Sequence, residues 1–265
     1  MPWTHYGPTE LAWIGVSVLL ISMSKGGFPI GNLAIPVLIL VWPDPERAAR
    51  GAVAFMLPML CVMDLFAVCL YRRRIRWDVL RPLAGGTVLG VLLATLCFVS
   101  ADRSLLAVSD RVLKLSIGML GLAFVLYQYA RARILRRMRG HRPGALRAHA
   151  LGVTAGLTST LAHAAMPVMQ MYLLPRGLPK KEFAATTAAY FWALNLLKVL
   201  PFVWGGRFSG GDLALGALML PLIPAGVLIG YAIVHVSSPR VYAGFIYAAL
   251  AVTSVLLVFK GATGG

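Results

Sequence analysis

Apolar runs long enough to cross a bilayer, separated by short basic stretches, recur along this chain. They cover about Ala48–Tyr71, Leu83–Val99, Val112–Tyr129, Ala184–Trp204, Leu213–Val236 and Val241–Phe259. A helical span needs ~20 apolar residues, because every backbone polar group must be satisfied inside the segment itself. The 265 residues leave room for about eight such segments with short connections, and none for a separate soluble domain of ordinary size. Composition agrees, at 59% hydrophobic and 13% charged, where a soluble domain carries ~25% charged residues.

The net charge is +16, from 25 Lys and Arg against 9 Asp and Glu. In a soluble chain that excess would point to nucleic acid. Here most basic residues lie between apolar runs, as in RRRIR at 72–76 and the Arg-rich stretch after Tyr129. Cationic loops stay in the cytoplasm, so the expectation is a multi-pass protein of the inner (plasma) membrane. Its partners are lipid and a small solute, with no nucleic acid. Trp42, Tyr71, Trp77 and Trp204 sit near run ends, where interfacial anchoring accounts for them. Cys61, Cys69 and Cys97 lie inside apolar runs without metal-site spacing, and no metal or cofactor is expected. The stretch MPWTHYGPTE lacks the basic start of a cleaved signal peptide, so the first run is expected to be retained.

Two segments are interrupted. Leu11–Met23 leads into SKGGFPIGN and then Leu33–Trp42, and a run from about Ala150 reaches HAAMP near residue 163 before VMQMYLLPRGLPKKEF. Three glycines and a proline make the first break poor helix material. The breaks head two similar halves: IPVLIL at Ile35–Leu40 parallels MPVMQM at Met166–Met171, and ERAARGAVAF at Glu46–Phe55 parallels EFAATTAAYF at Glu182–Phe191. The expected fold is all-α, a polytopic membrane helix bundle of about eight hydrophobic segments in two repeats, each beginning with a broken or re-entrant helix. Residues 1–131 form the first repeat, 132–147 a basic cytoplasmic linker and 148–265 the second repeat, in a single membrane domain. Duplication with broken helices is a transporter pattern, with substrate at the breaks and one repeat moving against the other. Re-entrant breaks make the halves inverted, whereas breaks that cross make them parallel. The charge of RGLPKK favours the inverted arrangement.

The motifs also carry a resemblance. SKGGFPIGNLAIPVLIL, followed by MLPMLCVMDLFAVCLYRRRIRW, resembles the first half of the sulfite exporter TauE/SafE family, also called toluene-sulfonate uptake permeases. AHAAMPVMQMYLLPRGLPKKEFAATTAAYFWALNLLKVLPF resembles its second half. The resemblance spans nearly the whole chain. It implies a permease or exporter of a small sulfur-containing anion, such as sulfite, sulfoacetate or another organosulfonate, and not an enzyme. The second motif of the family reads closer to NAAGP, so His163 and Met166 stand in its Asn and Gly places.

An anion inside a membrane needs positive potential, which half-helix N-termini, a buried cation and closely approaching glycine backbone supply. Lys25, Gly26, Gly27 and Asn32 at the first break are the candidate binders there. Thr158, Ser159 and His163 are their counterparts at the second. Thr187 and Asn195 share a helical face on the following run. Asp64, Lys198 and His163 are the coupling or gating candidates, since a charge within a membrane bundle is a functional hypothesis by default. Against these stand plainer roles: back-bonded hydroxyls for Thr158 and Ser159, snorkelling for Lys25, and interfacial pairing for Asp64 and Lys198. No GxxxxGK[ST] motif is present, so a proton or ion gradient is the expected drive rather than ATP. The rival classes are an intramembrane hydrolase using Ser159 with His163, and a small-solute membrane sensor.

Overall fold

A computed structural model describes residues 6–26, 31–44, 48–99, 110–138 and 144–236, with short pieces between 251 and 263. Its helices are α1 Pro8–Lys25, α2 Gly31–Leu40, α3 Ala48–Tyr71, α4 Trp77–Val99, α5 Asp110–Met138, α6 Ala145–Ala162, α7 Met166–Leu173, α8 Lys180–Trp204, α9 Gly210–Met219 and α10 Leu222–Val236. Among the described residues there is no strand. Among the described residues, three helical stretches suffice by length and composition to cross a membrane: Ala48–Cys69, Trp77–Leu96 and Glu182–Trp204. The pair Gly210–Met219 and Leu222–Gly230 makes a fourth, bent by 51°. The sequence suggests a continuous run there. Pro221 interrupts it, because proline lacks the N–H and clashes with the preceding turn. Most of the run Val241–Phe259 lies outside the described residues.

Both interrupted segments are broken helices, α1/α2 and α6/α7. The chain forms two compact units. One contains Met1–Met63, Val108–Leu122 and Phe202–Gly265, and the other Asp64–Ala107 and Ala123–Pro201. Each unit thus combines a broken helix from one half of the sequence with a helix from the other half.

In the first unit α1 packs on α10. Gly15 faces Leu222, Gly226 faces Ser22 and Gly230 faces the backbone of Met23, so the two helices run parallel. A side chain at Gly230 would overlap the Met23 carbonyl. Small residues four apart let backbones approach where lipid supplies no hydrophobic drive between helices. Tyr6, just before α1, meets Trp42, just after α2, edge to face with centroids 6.3 Å apart. The broken segment therefore leaves at the end where it enters. Trp42 is buried against Phe55 and Gly51 of α3 rather than placed as an interfacial anchor. Trp77 and Trp204 are exposed.

The second unit repeats the plan with α6 on α4. Gly86 faces His149 and Gly90 faces Val153, while Gly152 and Gly156 fit against the backbone of Leu83, Thr87 and Val91. This seam is parallel too. Tyr172 in the last turn of α7 donates to the Val79 carbonyl in the first turn of α4 at 2.7 Å. Here again the broken segment returns to its entry end. α8 starts from that same end: the Arg76 N–H donates to Thr186 Oγ1 at 3.1 Å, and Tyr190 and Thr87 hydroxyls meet at 2.9 Å. The starts of α4, α6 and α8 are therefore together, each following one of the basic stretches.

Candidate functional site

The second break is a three-residue gap, His163–Ala165, between α6 and α7. His163 takes the left-handed conformation, φ 51° and ψ 28°, as the one non-glycine residue among those described with positive φ. That conformation costs an L-residue roughly 1–2 kcal/mol. Local bonds hold it: the His163 N–H donates to Ser159 O at 2.9 Å, and the Ala164 N–H to Thr158 O at 3.2 Å. α7 then starts with its first helical bond from Met169 N–H to Ala165 O. The N–H groups of Met166 and Val168 before it have no partner within the helix and direct partial positive charge at the break, while Pro167 between them has no N–H.

α8 brings a cation to this point. Lys198 is fully buried, and its ammonium donates to Ser159 O at 3.2 Å and to Ser159 Oγ at 3.0 Å. Its Nζ also lies 2.8 Å from His163 Nδ1. A lysine within a membrane helix costs up to about 2.5–3.5 kcal/mol, the value at the helix centre. Hydrogen bonds to a charged group contribute about 1.5–3 kcal/mol each and offset it. One turn earlier on α8, Asn195 Nδ2 donates to Asp64 Oδ2 at 2.7 Å, and both residues are buried. The interfacial reading of Asp64 and Lys198 is thereby corrected: both are fully buried. Interfacial pairing needs water within reach, and packing around α8 removes it here.

The other candidates divide. The hydroxyl of Thr158 donates to Thr154 O at 2.8 Å, so it is used within its own helix. Thr187 shares the buried face of α8 with Asn195 and Lys198, and its Oγ1 has no hydrogen-bond partner. In the first unit Lys25 ends α1, partly exposed, and Gly26 follows with φ −71° and ψ −6°, an ordinary helical conformation. Gly27 lies outside the described residues, and so does the side chain of Asn32. Sequence reasoning did not single out Gln170 of α7, whose Oε1 is buried without a partner. A glutamine in an apolar stretch five residues after the break was the available signal.

Outside the membrane helices, Arg76 bonds Asp78 at 2.8 Å and Glu182 at 3.1 Å. These carboxylates, Asp78 first, hold its guanidinium above the usual value. The pairs are largely exposed, so they contribute little to stability.

The second break can therefore present a buried ammonium, an imidazole, a hydroxyl and a helix N-terminus to a small anion. Searches of curated proteins and of solved structures give no match. The sequence matches the family model described as Sulfite exporter TauE/SafE over residues 12–257, so the chain belongs to this family of membrane transporters, which are not enzymes.

Proposed function

We propose that this protein is a secondary transporter of the inner membrane that moves a sulfur oxyanion or organosulfonate, such as sulfite or sulfoacetate, binding it at the broken helix α6/α7. The family supports the coarser statement, an integral membrane transporter of a small anion. The observation that carries the finer one is the fully buried Lys198 ammonium aimed at the break. A sulfite or sulfonate presents three oxygens around one sulfur. One oxygen takes a Lys198 hydrogen in place of His163 Nδ1, and others accept from the Ser159 hydroxyl and from the Met166 and Val168 N–H groups at the start of α7. Asn195 and Thr187 extend the polar face along α8, with Asp64 holding Asn195 in place. Thr158 enters this site through its backbone carbonyl, which caps the break.

At the first break Lys25, Gly26, Gly27 and Asn32 form the other half of the proposal, on the chemistry of their residues. With α3, α4 and α5 as three crossings between the two re-entrant segments, the repeats are inverted. Alternating access then follows from one repeat rocking against the other.

The test is a proteoliposome flux panel of sulfite, sulfoacetate, taurine, sulfate and thiosulfate. Protein-dependent flux of sulfite or sulfoacetate ahead of taurine is the expected outcome. Preference for an uncharged or zwitterionic solute would sink the anion site.

A further inference from the structure

Two basic nitrogens 2.8 Å apart, Lys198 Nζ and His163 Nδ1, cannot both point a proton at each other. Carrying one positive charge, the pair has two forms: the ammonium donates to an imidazole protonated on Nε2, or an imidazolium donates to a neutral amine. In both cases one proton lies between them. We infer that this pair couples transport to protons: the anion crosses together with a second proton, held on His163 Nδ1.

The step involves no covalent change beyond proton transfer. An arriving anion takes the Lys198 hydrogen and leaves the Nδ1 lone pair facing an oxyanion, which is repulsive. A proton from the adjoining aqueous phase bonds to that lone pair and turns the ring into a second donor. On release, the anion leaves, the proton returns to water, and the Lys198–His163 bond re-forms. Anion and proton together leave the sum of charges at the site unchanged for a monoanion.

The groups facing the pair are consistent with this role. α6 itself carries Ser159 at the contact, with Arg147 and His149 about 20 Å back along the helix. From α3 comes Asp64, held through Asn195 one turn before Lys198. α4 carries Asp78 and Arg81 in its first two turns, and α7 carries Tyr172 in its last, all toward the entry end. The strained backbone at His163 keeps the ring at the break rather than along α6.

This rests on the anion-site reading, and the experiment separates the two. Wild type and His163→Asn are reconstituted into liposomes containing a pH-sensitive dye, and proton entry is divided by uptake of radiolabelled sulfite, with protein-free liposomes subtracted. Asparagine tolerates the left-handed conformation but cannot take the proton. The protons that sulfite carries on itself are the same for both proteins. Wild type is expected to move about one proton more per anion than the variant, whose slower uptake persists. His163→Gly, which relieves the backbone, is expected to match the asparagine variant and guards against misfolding. Equal ratios in wild type and variants overturn the coupling while leaving the anion site standing. If no anion of the panel moves with wild type, the site reading fails and the coupling with it.

Discussion

The two breaks share a frame and differ in how they use it. Ser22 stands four residues before Gly26 as Ser159 stands four before His163, and both serine carbonyls accept the N–H that ends the helix. At the first, Ser22 and Ser24 hydroxyls bond back to Val18 O at 2.7 Å and Ile21 O at 2.6 Å, and the glycine stays helical. At the second, the serine hydroxyl accepts from a lysine of another helix, and a histidine takes the left-handed turn. The conformational freedom of glycine is therefore unused at Gly26, while a residue without it bears strain at His163. Strain of this kind persists only where surrounding contacts over-determine it, and Lys198 is such a contact. The polar chemistry of the described residues is thus concentrated at the break richer in side-chain function and poorer in glycine.

What the two breaks have in common is their seat, a parallel helix pair joined by glycines, and it carries the largest expected effect. Gly156→Leu on α6 places a Cβ 2.5 Å from the Thr87 carbonyl, and Gly230→Leu drives one into the Met23 backbone. Neither neighbour is a flexible side chain, so the helices must separate. Each change is expected to cost about 3 kcal/mol or more, at or beyond the top of the overpacking range, and to lower the melting temperature in detergent. If only one of the two does so, the units are not built alike.

Next comes the difference in cations. Lys198 is fully buried and Lys25 is not. Lys198→Met removes a charge-assisted bond to the anion worth about 1.5–3 kcal/mol, so half-saturation in counterflow should rise roughly 10- to 150-fold. Lys25→Met acts in partial contact with solvent, where pairs contribute about 0–1 kcal/mol, and should shift it by about fivefold at most. A larger effect at Lys25 would move the principal anion contact to the first break.

Much of the architecture was legible because it is local. Composition alone marks SKGGFPIGN as a break, the likeness of the two halves points to HAAMP, and the eight-residue spacing puts Thr187 and Asn195 on one face. The glycine seams were legible only as spacing: Gly86/Gly90, Gly152/Gly156 and Gly226/Gly230 each repeat at four residues, but nothing in the spacing names the partner helix. The proline at 221 was masked by the apolar residues around it. Lys198 was the least legible. Its distance from the helix end suggested an interface, and only the return of α6 to a break beside α8, 35 residues away in the chain, makes it a buried donor. The arms of each broken segment pack on one another, and single contacts tie their ends, Tyr6 with Trp42 and Tyr172 with Val79. No periodicity encodes such pairs.

The smallest effect is the most discriminating. Gly26 has helical dihedrals, so alanine fits its backbone without strain and reduces the freedom of the unfolded chain. Gly26→Ala should therefore raise stability slightly, by about 0.4–1 kcal/mol. His163→Ala is the converse, because alanine keeps the left-handed cost of roughly 1–2 kcal/mol and loses the bond to Lys198 that offsets it. Melting temperature should rise for the first and fall for the second. Transport then decides what Gly26 is for. If Gly26→Ala is more stable and transports normally, the glycine merely ends α1, and anion selection rests on the second break. If it is more stable but transports tenfold less, its missing side chain is needed where backbone approaches the anion, and the first break joins the second as a binding element.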